Sequence, residues 1–294
     1  MVAVDFSGIW IPLVTPMRGD RLDLPALARL VRHLAAQGVA GFMPCGSTGE
    51  AAMLDAAEQD QVLSTTLDAA GGLPVVMGLS GVRPAAVAAR ARQLADAHAG
   101  LAGFLLAPPA YVKPSQAGIA DFFTTVAEAT TLPLVAYDVP SRTGVRLHTD
   151  TLLALAAHPG IRAVKDCSGD RAAAERLLAD GRLALLAGND DELFDQLARG
   201  AAGAVTASAH LATGAFVRLH ALLRDGRLPE ARALWHRLAP LTTAAFAEPN
   251  PAPVKAALAR QGWIADVLRA PMPRAADDTA AALLAAARDV PALG

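Results

Sequence analysis

The sequence predicts a (β/α)8 barrel of the α/β class with a C-terminal helical extension, and three observations carry that expectation. Short apolar runs alternate eight times with longer Ala-, Leu- and Arg-rich segments of helical period. The runs lack polar alternation, which suits strands covered on both faces, as in a parallel sheet. The Gly-rich dinucleotide turn of an open doubly wound sheet is missing after the first strand, and such sheets usually need fewer strands. Eight βα units in sequence therefore favour closure into a barrel.

The runs are, in order, "GIWIPLVTP" (8–16), "VAGFMPCG" (39–46), "LPVVMGLS" (73–80) and "LAGFLLAPP" (101–109), then "LPLVAYDVP" (132–140), "IRAVKDCSG" (161–169), "LALLAGND" (183–190) and "AGAVTAS" (202–208). Helical stretches follow near 24–37, 51–70, 83–98, 115–129, 149–158, 170–180, 190–199 and 213–225. Beyond residue 226 no strand pattern recurs. "LPEARALWHRLAPLTTAAFA", "PAPVKAALARQG" and "AADDTAAALLAAARDV" read as three helices separated by Pro-rich breaks. The expected division is a barrel over 1–225 and a helical appendage over 226–294 packed on it.

Composition narrows the function classes. With 53% hydrophobic and 18% charged residues in 294, the chain can build a sizeable core, and disorder is not expected. A net charge of −2 argues against an electrostatic grip on nucleic acid or on an anionic membrane. The start, "MVAVDFSGIWIPLVTPM", has no basic region and is broken by prolines, unlike a signal peptide. No apolar stretch approaches the ~20 residues that cross a bilayer. Cys45 and Cys167 are too few for a disulfide framework or a metal site. A cytoplasmic protein is expected.

In a barrel of this kind the chemistry sits at the C-terminal ends of the strands, and the sixth run ends in Lys165. Among 26 basic residues only Lys113, Lys165 and Lys255 are lysines. A lysine kept at a strand end suggests a task arginine cannot perform, namely losing its proton and acting as an amine nucleophile. An unperturbed lysine is a free amine in only about one molecule in 2,500 at pH 7, so burial is expected to lower its pKa. Periodicity alone equally allows a salt bridge to Asp166 or a solvated strand end. "GSTGE" (46–50) is a small-residue turn opening a helix, where backbone N–H groups can take a carboxylate; a plain tight turn with Ser47 or Thr48 as N-cap is the other reading. "YDVPSRTG" (137–144) offers Tyr137 for proton transfer and Arg142 for a bidentate grip on a carboxylate, or merely a packed tyrosine and a surface arginine. Adjacent fifth and sixth strands would set Tyr137 beside Lys165.

Taken together, "VTPM" (14–17), "GSTGE", "KPSQAG" (113–118), "YDVPSRTG", "VKDCSGD" (164–170) and "EPNPAPVK" (248–255) resemble, in this order, the dihydrodipicolinate synthase / N-acetylneuraminate lyase family of class I pyruvate aldolases, more the synthase branch. The resemblance implies a homotetramer built as a dimer of dimers and a covalent imine on Lys165 with pyruvate, without a separate cofactor or metal. It assigns proton relay to Tyr137, Ser47 and Tyr111, the last reaching into a neighbouring subunit's site. It gives the pyruvate carboxylate to Thr48 and the Gly46 turn, the second substrate's carboxylate to Arg142, and a carbonyl facing the lysine to Val205. The second substrate would be a small aldehyde, aspartate semialdehyde in the synthases, giving 4-hydroxy-tetrahydrodipicolinate.

Departures from the family pattern are informative. Ala110 and Val112 flank Tyr111 where a tyrosine and an asparagine are usual, and Ser47 stands for the usual threonine. Ala56, Gln59, Val82 and Ala86 occupy positions that are often polar where lysine acts as feedback inhibitor, so inhibition by lysine is expected to be weak or absent. Two other functions compete: a retro-aldol lyase or dehydratase of a sugar-derived 2-keto acid, and a non-catalytic keto-acid-binding barrel. The acidic-partner preference of Arg142 favours the synthase over the first. A mere binder would have no use for the proton relay.

Overall fold

The computed structural model describes residues 4–290. Eight strands, β1 (Gly8–Ile11), β2 (Gly41–Phe42), β3 (Val75–Leu79), β4 (Leu101–Leu106), β5 (Leu134–Asp138), β6 (Ile161–Asp166), β7 (Ala184–Ala187) and β8 (Gly203–Val205), close a barrel in the order β1-β8-β7-β6-β5-β4-β3-β2. The predicted (β/α)8 barrel is thus observed. Every residue of β3 and β5 is buried, which is why these runs carry no polar alternation. Each Val, Leu, Ile or Phe buried in this way contributes about 1.5–3 kcal/mol over leaving it in water.

Each strand leads to a helix: α1 (Leu24–Ala35), α2 (Ala56–Ala69), α3 (Pro84–Ala97), α4 (Gln116–Glu128), α5 (Thr149–Leu155), α6 (Arg171–Asp180), α7 (Leu193–Ala198) and α8 (Thr213–Arg224). Most lie within a few residues of the sequence expectation. The exception is α2, expected from residue 51. A 3-10 turn occupies Ala51–Met53, and the α-helix starts only at Ala56. Asp55 and Glu58 form a reciprocal capping box there, satisfying two amide donors that a helix start otherwise leaves orphaned. "GSTGE" is therefore a turn that stands clear of the helix.

The tail helices are α9 (Leu228–Ala245, with Pro240 inside), α10 (Ala252–Arg260) and α11 (Asp277–Arg288). α9 packs on α8 and α11, and α10 packs on α11. The chain forms two compact units: residues up to Ser7 with Pro74–Ala204, and Gly8–Leu73 with the chain from Val205 onward. The tail helices share the second unit with β1 and β2. Among the described residues no helix is long and apolar enough to cross a membrane.

Candidate active site

The first unit carries the lysine. The β5–β6 register sets Tyr137 opposite Lys165 and Asp138 opposite Asp166, as adjacency of the two strands requires. Lys165 is 6% exposed, and its Nζ lies 4.3 Å from the centre of the Tyr137 ring. Both alternatives for this lysine fall away. It is no solvated strand end, and Asp166 spends its carboxylate elsewhere: Oδ1 accepts from the Ser168 amide at 2.9 Å and Oδ2 from Gln196 Nε2 at 3.2 Å.

The pKa of Lys165 shifts in the direction opposite to the sequence expectation. Burial is the largest single influence and lowers its pKa, but Tyr137, Cys167 and Asp190 together outweigh it and hold the ammonium above the ordinary lysine value. An amine in this place would have to hand a proton to a neighbour before it could attack a carbonyl. Cys167 cannot take it: burial pushes its thiol up to about 12. The Tyr137 hydroxyl, which hydrogen-bonds Lys165, is the group in reach. Space is tight behind the lysine. A Cβ at Gly188 would come within 2.4 Å of Cys167 Sγ, 2.8 Å of the Asp166 carbonyl oxygen and 3.0 Å of Lys165 Cγ, so residue 188 has to be glycine for this packing.

Arg142 and Tyr111 lie on segments that leave the strand ends. Arg142 is exposed on a one-turn helix, Pro140–Thr143, closed by Gly144 in the left-handed region. Tyr111 follows β4 on a loop where it and Lys113 have positive φ, and it is 93% exposed. Its ring finds no cover among the described residues.

The second unit carries the turn. After β2 the chain passes through Cys45 (φ 55°) and Glu50 (φ 57°), both left-handed without being glycine. The turn closes on itself through Gly49 N–H to Gly46 O at 3.1 Å and Glu50 N–H to Ser47 O at 3.2 Å. A Cβ at Gly49 would meet the Cys45 nitrogen and the Leu13 oxygen at 3.0 Å. The amides of Ser47 and Thr48 and the Thr48 hydroxyl proton have no acceptor among the described residues. Three donors left unspent on a mostly buried turn suit an anion. Val205 ends β8 and is fully buried. Gly46, Ser47 and Thr48 thus share one turn, and Tyr137 and Lys165 one strand pair.

Three features escaped the sequence argument. Asp190 is 3% exposed and acts on Lys165 electrostatically; nothing in "LALLAGND" singled it out. Asn250 donates from Nδ2 to Thr48 Oγ1 at 2.9 Å. Lys255, with a fully buried side chain, pairs with equally buried Glu50 and donates to the Thr15 carbonyl at 2.9 Å. A lysine inside the apolar run "PAPVKAALA" was a usable signal, because a buried ammonium demands a partner.

Comparison with known proteins agrees with this geometry. The model of the dihydrodipicolinate synthetase family matches residues 5–289. The 4-hydroxy-tetrahydrodipicolinate synthase of Methanothrix thermoacetophila is 37% identical over 282 residues, 95% of either chain. The dihydrodipicolinate synthase structure from Thermotoga maritima superposes with a TM-score of 0.93 at 31% identity, covering 97% of this chain and 99% of that one. A chloride-inhibited dihydrodipicolinate synthase of Acinetobacter baumannii, complexed with pyruvate, gives 0.92 at 31%, covering 97% and 98%.

Proposed function

Because the chain belongs to the dihydrodipicolinate synthetase family, we propose that it condenses pyruvate with aspartate semialdehyde to 4-hydroxy-tetrahydrodipicolinate through an imine on Lys165. The observation that carries this reading is the buried Lys165 amine in register with Tyr137. Relatives across nearly the whole chain bear the synthase name, and one solved relative holds pyruvate.

The steps follow from the groups present. Tyr137 passes its phenolic proton along the relay to Ser47 as it takes one from Lys165, and the free amine adds to the pyruvate ketone; loss of water leaves an iminium. The cationic nitrogen draws electrons from the methyl carbon, which loses a proton and becomes an enamine. That carbon attacks the aldehyde carbon of the semialdehyde, a C–C bond forms, and the aldehyde oxygen takes a proton. The semialdehyde's own amine then displaces Lys165, closing the ring and restoring the enzyme. Tyr137, Ser47 and Tyr111 relay protons, which moves charge without placing a second ion beside the lysine. Thr48, with the Gly46 turn, binds the pyruvate carboxylate; Arg142 receives the semialdehyde's carboxylate, and the Val205 carbonyl faces the imine.

The exposed Tyr111 favours a homotetramer arranged as a dimer of dimers, in which a second subunit covers that ring. Cytoplasmic residence goes with a biosynthetic role. The test is borohydride reduction in the presence of pyruvate, read by mass on the Lys165 peptide, beside a coupled assay with aspartate semialdehyde and with keto-sugar acids. A pyruvyl adduct with turnover of the semialdehyde is expected. No adduct would leave a binding barrel, and an adduct with turnover only of keto-sugar acids would place the chain among the sugar-acid lyases.

A further inference from the structure

We propose that Asn250, in the tail, is a positioning residue for the substrate carboxylate: by donating to Thr48 it turns that residue's hydroxyl proton towards the bound anion. The inference rests on the reading that Thr48 binds the pyruvate carboxylate.

A threonine hydroxyl has one proton and two lone pairs. Asn250 Nδ2 lies 2.9 Å from Thr48 Oγ1, and both residues are buried. An amide N–H can only donate, so it occupies a lone pair and prevents the hydroxyl from spending its proton on the amide. No other described residue accepts that proton. It is left to point, with the unspent amides of Ser47 and Thr48, at whatever the turn binds. A carboxylate is acceptor-only and suits a turn with three unspent donors and no free acceptor among them; a donor-bearing group would not. Without Asn250 the hydroxyl rotates freely and can point its lone pairs at the anion instead.

The rest of the turn is gripped in the same way, residue by residue. The Gly49 carbonyl accepts from Thr15 Oγ1 at 2.7 Å. Glu50 accepts from Lys255 Nζ through Oε1 and from the Arg269 amide at 3.2 Å through Oε2. Residues 48, 49 and 50 are each held from outside, two of them by the chain beyond residue 248. Two non-glycine residues in left-handed conformation need such support. Residue 250 is the only one of these supports that touches a group proposed to meet substrate, and so its loss should be felt in binding.

The experiment is steady-state kinetics of the full-length enzyme with Asn250→Ala, Asn250→Asp, Thr48→Val and the Thr48→Val/Asn250→Ala double variant. Asn250→Ala should raise the KM for pyruvate ~10-fold, the scale of one hydrogen bond to a charged group, with the KM for aspartate semialdehyde and the melting temperature nearly unchanged. Asn250→Asp keeps the shape, but as an acceptor it captures the Thr48 proton and repels the anion. Its pyruvate KM should exceed that of Asn250→Ala and fall as the new carboxylate is protonated. In the double variant, loss of Asn250 should add nothing to Thr48→Val. If Thr48→Val raises the pyruvate KM and Asn250→Ala does not, Asn250 has no positioning role. Equal losses for both substrates, or additive effects in the double variant, overturn it too. An unchanged pyruvate KM in Thr48→Val removes the carboxylate reading itself.

Discussion

Lys165 and Lys255 are both buried, in different units of the molecule, and their surroundings set the ammonium proposed to react apart from a structural one. Lys255 is fully enclosed, with Glu50 against its Nζ and the Thr15 carbonyl at 2.9 Å. Burial is the main influence on it and keeps its pKa below the ordinary lysine value despite Glu50, yet its two acceptors give it nothing to do except hold. Lys165 has no carboxylate in direct contact among the described residues. Asp166, next in sequence, is tied to Ser168 and Gln196, and the neighbours of Lys165 are a phenol, a thiol and the charge of Asp190. A carboxylate paired directly with an amine would hold its proton through the whole cycle. A phenol that gives its own proton to a relay can take the amine's proton and later return it. The difference teaches that burial alone does not fit a lysine for the nucleophilic role proposed for Lys165; the kind of neighbour decides it.

The comparison breaks most visibly through substitution of each lysine. Lys165→Arg should lower kcat by at least ~10⁴-fold, the scale of losing a covalent nucleophile, and should abolish borohydride trapping while the melting curve stays near that of the parent. Tyr137→Phe keeps the ring and removes the proton carrier, so kcat should fall ~10²–10⁴-fold. Unchanged kinetics would reassign Tyr137 to packing. Lys255→Met should act on stability: it strands Glu50 and should cost about 3–5 kcal/mol in urea unfolding, much of it recovered when Glu50→Gln is added.

Acid stability sharpens the contrast between the units. Burial, with Asp166 nearby, raises Asp138 in the lysine unit to about 6 from 3.8. A carboxyl with a raised folded pKa stabilises fully below about pH 4 and loses that contribution as pH rises through 6, up to about 3 kcal/mol for a shift of this size. Burial lowers His210 in the other unit to about 4 from 6.5. Its neutral ring accepts from the Val14 amide through Nε2 and is bonded to the Ala207 carbonyl through Nδ1. Its contribution is present above about pH 6.5 and is lost as pH falls through 4, again about 3 kcal/mol at most. The two oppose each other between pH 4 and 6. Asp138→Asn should therefore gain stability at pH 7 relative to pH 4, and His210→Gln should gain at pH 4 relative to pH 7. Unfolding midpoints at the two pH values check both signs. The smallest effect expected is none: submillimolar lysine should leave activity unchanged. Gln59, one of the residues behind that expectation, stands in the first turns of α2 and already donates to the Ala51 and Leu54 carbonyls.

Much of this was legible before any coordinates. Apolar runs without alternation marked all eight strands, because a strand covered on both faces has no polar side to show. Rarity marks Lys165, because only three of the 26 basic residues are lysines. The start of α2 was misplaced by five residues: helical composition from residue 51 said nothing about the Asp55–Glu58 capping box that sets where the first amides find partners. Composition and helical period assign the tail to packing alone. Its tie from Asn250 to Thr48 spans 202 residues of chain, and no local pattern encodes such a pairing.

What the sequence by itself determined is the period of its elements, hence the barrel, and the residue types able to carry imine chemistry, since both depend on local side-chain alternation and intrinsic reactivity. Only the tertiary structure decided which acid each buried lysine meets and which way each hydroxyl faces. Those depend on strand register and on contacts between distant segments, where a shift of an ångström or two exchanges a salt bridge for a proton relay.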